Sequence, residues 1–344
     1  MAIDCRINRS FSNVDTPDSN TVQAAGTTTY DVSVVGLYCI DVLGRPVTRI
    51  PDGGNADFID EIRLTVAGTA GGTIVDCAKL GMKALAVGAV GEDEKGRFVL
   101  STLEGFGIST HAMQRYPGVH TAASILTVRP NGERPCLHVR GSSDALLVTE
   151  QDYPEVLDAA FVHMGGNGLL GQMDGEPTRA LLAAAKAAGR ITTFDLIFAT
   201  EPLMAKLRPA MQYVDYFVPS IEEATALCGR EDPREAAQYF HDLGVRTCVL
   251  TMGGDGCYVS TGESRFFLPA HDIRVVDTTG CGDAFTGGFI AALHRGWDIE
   301  RAARFGGTCG ALVAGGLGSD HGIKDFASTV VAMQALPLKQ RSAA

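Results

Sequence analysis

The sequence predicts an α/β protein, with a mostly parallel central sheet carrying helices on both faces and a small separate β-sheet. Three observations carry this. After residue 150, apolar strand-like runs alternate with helical stretches, the rhythm of parallel strands joined by crossover helices. Before residue 150, several segments alternate apolar and polar residues, as strands with one wet face do. Near the C-terminal end, the glycine-bracketed turn Asp277-Thr-Thr-Gly-Cys-Gly-Asp283 opens a helical apolar pattern at Phe285, Phe289, Ile290 and Leu293.

Along the chain, residues 1–28 are polar, carry Asp4, Asp15 and Asp18, and lack the apolar core of a signal peptide, so a disordered extension is expected. The first strand is Tyr30–Gly36, a β-branched run ending in glycine. A helix follows at Gly72–Leu80 and a buried strand at Ala84–Val90. Leu43–Ile50, Phe58–Val66, Ala122–Arg129 and Pro135–Arg140 are expected as antiparallel strands of the small sheet, with Asn131-Gly132 as a hairpin turn. Further strands are expected at Ala160–Met164, Ile191–Phe194, Tyr216–Val218 and Cys248–Thr251. Helices are expected between them at about Pro177–Ala188, Pro202–Met211, Ile221–Leu227 and Arg234–Leu243. A β-like run at Asp272–Val276 leads into the turn, and residues 329–344 are expected as a C-terminal helix and tail.

Composition narrows the function classes. A hydrophobic content of 45% and a charged content of 20% describe a globular chain with ample core. The formal charge of −11 speaks against a nucleic-acid surface, which needs a basic stripe. It leaves phosphate ligands open, because a local cradle of amides binds them within an acidic protein. No apolar run reaches the roughly 18 residues that span a membrane. The nine cysteines are scattered without a C-x-x-C pair and mostly sit in apolar runs, the pattern of reduced thiols in a cytoplasmic protein.

The turn at 277–289 is the chemical focus. Amides of Gly280, Cys281, Gly282 and Asp283 fall at a helix N-terminus, where unpaired N–H groups and the helix dipole favour an anion. A carboxylate beside such a cradle suits a general base next to a transferring phosphoryl group, with a helix cap as the plainer alternative. Gly166-Asn-Gly168-Leu-Leu-Gly171 is a formal dinucleotide motif, but the next helix opens near Pro177 instead of within the glycines, which spoils the geometry.

Asp277–Asp283 resembles the C-terminal signature of the PfkB, or ribokinase-like, carbohydrate kinases, and the similarity extends over most of residues 30–325. Gly88-Ala-Val-Gly-Glu-Asp-Glu-Lys-Gly-Arg-Phe98, Gly105-Phe-Gly-Ile108, Pro130-Asn-Gly-Glu-Arg134 and Val249-Leu-Thr-Met-Gly-Gly-Asp-Gly256 match further family segments in order. The resemblance implies a three-layer kinase domain at about 29–328, with a β-sheet lid drawn from residues 43–66 and 120–140. It implies transfer of the γ-phosphate of ATP to a hydroxymethyl group of a sugar, or of a nucleoside. Asp283 would be the base, and the amides of Gly280, Cys281 and Gly282 the anion hole. Asp41, Gly68, Gly71 and Gly72 would meet the sugar. Thr251, Gly253, Gly256, Gly315 and Ser319 would border the nucleotide. Glu223 would serve magnesium and Asp277 a monovalent cation such as K+. A homodimer through the lid sheet is a further expectation, made plausible by Val128, Leu137 and Val139.

Three departures stand out against that pattern. Gly72 replaces an asparagine, so one sugar contact is lost or comes from Thr69 or Thr73. The metal-associated N-x-x-E reads Ser220-Ile-Glu-Glu223. Cys281 replaces an alanine in the cradle, where a helix N-terminus can lower a thiol pKa or merely accept a small residue. Substrate identity stays open among ribose, ketoses, acidic sugars and nucleosides, with Tyr38 or Phe58 as a slot for a base. A non-catalytic sugar or nucleotide sensor remains the alternative, although a pure binder has no need of Asp283.

Overall fold

A computed structural model of the chain describes residues 24 and 26–340. Most of the expected N-terminal extension, and residues 341–344 of the expected tail, lie outside those residues. The strands are β1 (Tyr30–Gly36), β2 (Cys39–Arg45), β3 (Glu61–Ala67), β4 (Ala84–Val87), β5 (Ala89–Gly91), β6 (Gln114–Tyr116), β7 (Ala123–Thr127) and β8 (Cys136–Val139), followed by β9 (Ala159–Asn167), β10 (Ile191–Leu196), β11 (Tyr216–Phe217), β12 (Thr247–Thr251), β13 (Cys257–Ser260) and β14 (Arg265–Leu268). The helices are α1 (Thr69–Lys79), α2 (Glu94–Gly105), α3 (Tyr153–Val156), α4 (Glu176–Ala187) and α5 (Glu201–Leu207), then α6 (Ile221–Cys228), α7 (Pro233–Asp242), α8 (Cys281–His294), α9 (Ile299–Ala314) and α10 (Phe326–Ala335).

Eight strands form the main sheet in the order β14-β13-β12-β11-β10-β9-β1-β4. From β12 to β4 every pairing is parallel, and β13 and β14 turn back antiparallel at one edge. Period-two alternation builds the two faces. Val32, Val34 and Phe161 pack toward α1, α8 and α9, while Val35, Val162, Met164 and Phe194 pack toward α4, α5, α6 and α7. The result is three layers with cores on both sides of the sheet, as the alternation predicts.

The small sheet has the order β3-β2-β7-β8. It is mixed, not purely antiparallel: β2 pairs parallel to β7, while β3 and β8 flank them antiparallel. Strand β2 begins at Cys39, earlier than expected, and ends before Pro46, which has no amide to donate. Alternation survives this shift of boundaries. Ile62, Leu64, Ile125, Leu137 and Val139 point to the outer face and are exposed, whereas Val128 is buried with Leu43, Leu126 and Leu317 and is no part of that face.

Other expectations are corrected. The run Ala84–Val90 splits at Gly88, where an added Cβ would lie 2.2 Å from the Tyr38 ring, and β5 pairs with β6 instead of joining the main sheet. Residues 202–211 change from α5 to a 3₁₀ turn at Arg208–Tyr213, at Pro209. Asp272–Val276 is not a strand despite its β-branched residues. Its Val276 amide bonds the Ala314 carbonyl, so no ladder forms. The glycines at 166–171 start inside β9, and α4 opens only at Glu176, which removes the dinucleotide reading.

Candidate active site

One cavity of about 1820 Å³ lies where the small sheet overhangs the carboxyl ends of the parallel strands, the expected ligand position in such sheets. Its size exceeds the ~300–1,000 Å³ of a single small-molecule pocket, so two ligands fit side by side.

The floor is the start of α8. Gly280, at φ 75°, lies against Ser319, where a Cβ would approach Ser319 Cα to 2.6 Å. This left-handed residue turns the chain into the helix. The Cys281 amide donates to the Thr278 carbonyl at 3.4 Å, while the amides of Gly280, Gly282 and Asp283 meet no acceptor among the described residues. These free donors can hold an anion. Asp283 stands beside them, partly open to the cavity, and its pKa is pushed up to about 7. Burial is the main cause, opposed by Arg134 and reinforced by Asp41 and Glu223. Such a carboxylate can take a proton near neutrality.

Asp283 depends on a distant residue. Helices α1 and α8 cross so closely that a Cβ on Gly72 would lie 2.6 Å from Asp283 Oδ2, and Thr73 Oγ1 donates to the Asp283 carbonyl at 3.3 Å. Gly72 and Gly71 sit behind the cavity wall, not on it, whereas Gly68 lines the cavity. An asparagine at 72 would occupy the space of the Asp283 carboxylate. Thr73 is committed to backbone, which leaves Thr69, whose cavity-lining hydroxyl is buried and unpartnered.

Asp41 and Glu223 also line this cavity, as do Thr251, Gly253, Gly256 and Ser319. Burial raises the Asp41 pKa to about 6. Ser220 and Glu223 form a reciprocal capping box at the start of α6, with Glu223 Oε2 accepting from the Ser220 amide and hydroxyl at 2.9 Å each. Besides Gly71 and Gly72, two more expected residues do not reach the cavity. Gly315 is absent from its lining, and Asp277 is fully buried, with Oδ1 serving the Thr279 amide and hydroxyl and Oδ2 the Gly318 amide. Asp277 thus ties the cradle to the segment around Gly318. The Ser319 hydroxyl is spent on the Val66 carbonyl. Tyr38 is buried with its hydroxyl on the Val34 carbonyl, and Phe58 is exposed outside the cavity, so neither forms a slot for a base.

The sequence reading missed several lining residues. Arg134 reaches from the hairpin of the small sheet to Thr278 Oγ1 at 3.1 Å, carrying a positive charge toward Asp283. Asp195, at the end of β10, has its pKa raised by burial and by Glu223 and Asp283. Asp195 and Glu223 present oxygen donors to the same space, a set that suits a hard divalent cation and whose repulsion such an ion would relieve. At the far end, Leu338 and Lys339 join the lining, with Lys339 donating to the Gly254 carbonyl at 3.1 Å.

Residues 30–325 match the pfkB family of carbohydrate kinases. The chain belongs to that family. It is therefore a phosphotransferase with an alcohol group as acceptor, and no helix among the described residues is long and apolar enough to cross a membrane. Among similar proteins are the aminoimidazole riboside kinase of Salmonella typhimurium (26% identical, covering 72% of this chain and 82% of that one) and the ATP-dependent ribose-1-phosphate kinase of Halopiger xanaduensis (29%, 78% and 87%). The 2-dehydro-3-deoxygluconokinase of Thermoproteus tenax is 28% identical, covering 82% and 90%. The ribokinase of Arabidopsis thaliana, solved with ribose and ATP, shares the fold at a TM-score of 0.75 and 23% identity, covering 89% of this chain and 99% of that one.

Two predictions follow from the floor of the cavity. Gly72→Ala forces Asp283 aside, so turnover falls by at least tenfold while nucleotide affinity, measured by calorimetry, holds; unchanged turnover would refute the contact. Burial pushes the Cys281 thiol up to about 12, against the lowering that its helix position suggests. Iodoacetamide at neutral pH is therefore expected to label exposed Cys136 before Cys281, as read by peptide mass spectrometry; prior labelling of Cys281 would contradict this.

Proposed function

We propose that the protein transfers the γ-phosphate of ATP to a hydroxymethyl group of a sugar or nucleoside, with Asp283 as the general base. The observation that carries this reading is the Asp283 carboxylate, with a pKa near 7, standing beside unpaired amides at the mouth of α8. The acceptor hydroxyl would lie between Asp283 and Asp41. The free amides of Gly280, Gly282 and Asp283 would form the anion hole, whereas the Cys281 amide, expected there too, is turned to the Thr278 carbonyl. Phosphoryl transfer is largely positioning and charge stabilisation, so Arg134, reaching across from the lid, would offset charge on the transferring group.

Nucleotide would occupy the end walled by Thr251, Gly253 and Gly256. Magnesium would be held through Glu223 and Asp195, where it would neutralise phosphate charge. A monovalent cation near Asp277 would have to use carbonyls around it, since both carboxylate oxygens already accept hydrogen bonds. In place of the missing asparagine, Thr69 would supply a sugar contact. The outer face of the lid supports the homodimer reading. Register aligns Leu64, Val42, Ile125 and Leu137 in one row across the four strands, an apolar stripe that a second copy would cover.

Asp283→Asn is expected to lower phosphoryl transfer by about 10²–10⁴-fold while ATP binding persists, and wild-type rates in that variant would remove Asp283 from the mechanism. Removing the base also alters stability. Its raised pKa means that the ionised form is disfavoured in the fold, a penalty absent below the ordinary carboxylate range and complete above about pH 7. Asp283→Asn should therefore melt higher than wild type at pH 8 but not at pH 4; a lower melting temperature at pH 8 would contradict this. Ile125→Asp with Leu137→Asp is expected to convert a dimer to a monomer in analytical ultracentrifugation. A monomeric wild type at micromolar concentration would exclude the dimer.

A further inference from the structure

After α10 the chain pairs as a strap with residues 270–272. The Asp272 amide donates to the Pro337 carbonyl at 2.8 Å, and the Lys339 amide donates to the Ala270 carbonyl at 2.9 Å. Leu338 stands opposite His271 in an antiparallel bridge between them. These bonds fix the backbone of residues 337–339 at the edge of the cavity. From there the Lys339 side chain spans to the turn between β12 and β13, where Nζ donates to the Gly254 carbonyl at 3.1 Å. That approach needs a bare residue, because a Cβ on Gly254 would lie 2.9 Å from the same nitrogen. Leu338, Lys339 and Gly254 all line the cavity, as do Gly253 and Gly256, which flank the contact in the turn.

An ammonium carries three donors. Among the described residues, the Gly254 carbonyl is the one acceptor that the Lys339 ammonium meets, and no carboxylate pairs with it. The arginines of the cavity lining are committed elsewhere. Arg304 pairs with Glu300 at 2.8 Å, Arg301 lies 3.6 Å from the centroid of the Trp297 ring, and Arg134 bonds Thr278 at the cradle end. Burial also disfavours the charged form of His271 beside the strap. Lys339 is thus the uncommitted positive charge at the end walled by Thr251, Gly253 and Gly256. The chain has a formal charge of −11 and no P-loop lysine to serve phosphates there. Resting on the kinase reading, which seats the nucleotide at that end, we propose that Lys339 is a nucleotide-binding residue whose ammonium hydrogen-bonds a phosphate group of the nucleotide. A lysine meets phosphate as a point charge on a flexible stem, so a short swing from the Gly254 carbonyl suffices and no bidentate geometry is needed.

The test is calorimetric titration of ADP into the full chain as wild type, Lys339→Met and Lys339→Arg. Methionine keeps an unbranched stem and the backbone pairing of the strap but loses the charge, whereas arginine keeps the charge. The dissociation constant for ADP is expected to rise roughly tenfold in Lys339→Met, the size of one charge-assisted hydrogen bond, and to stay within about threefold of wild type in Lys339→Arg. Binding should also weaken less with added salt in Lys339→Met than in wild type. Wild-type affinity in Lys339→Met, or Lys339→Arg binding as weakly as Lys339→Met, would overturn the assignment while leaving the kinase reading intact. Wild-type ADP binding that is independent of salt would overturn it whatever the variants do. A wild type that binds neither ADP nor ATP would instead remove the kinase reading, and the assignment with it.

Discussion

The crossing of α1 over α8 is the constraint on which the site depends. At the contact, Gly72 has no side chain and the Asp283 carboxylate takes the space. One turn further on, the arrangement is reversed. Gly287 is bare, and an added Cβ there would come within 3.1 Å of Asp76 Cβ. Small residues on alternate helices let the two backbones approach closely, and close approach carries the α8 N-terminus to the edge of the cavity. Bulk at either glycine would lift that N-terminus, moving Asp283 and the free amides together.

Electrostatics then divides the labour among the carboxylates. Asp283, Asp195, Glu223 and Asp41 share one cavity, and burial raises the pKa of each. Concentrated negative charge of this kind is costly, and a cation or a hydrogen-bonding substrate would relieve it. Arg134 is the counterweight already present, lowering both Asp283 and Asp41. Carried by the small sheet and bonded to Thr278, it sets a positive charge near Asp283.

Much of this was legible in the sequence because it is local. The cradle is thirteen consecutive residues, and glycine at a left-handed position followed by an apolar helical pattern is readable without neighbours. Strand parity in the lid was readable too, and it sorted Leu137 and Val139 outward correctly. What escaped was non-local. The meeting of Gly72 with Asp283 spans more than two hundred residues, so an apparently missing asparagine could be recognised only as a departure. The parallel pairing of β2 with β7 depends on chain routing, not on composition. Asp272–Val276 has strand propensity but no strand to pair with, and Val128 follows a strand pattern into the core. The pairing of Pro337 and Lys339 with residues 270–272 likewise joins distant parts of the chain.

The central claim is that Asp283 accepts the proton of the acceptor hydroxyl. The pH dependence of kcat/KM tests it most directly, because it reports the ionisation of the free enzyme. A base with a pKa near 7 must be deprotonated to act. Activity should therefore fall about tenfold per unit below pH 7, level off above it, and lose this limb in Asp283→Asn. A profile flat from pH 5 to 8 would contradict the account.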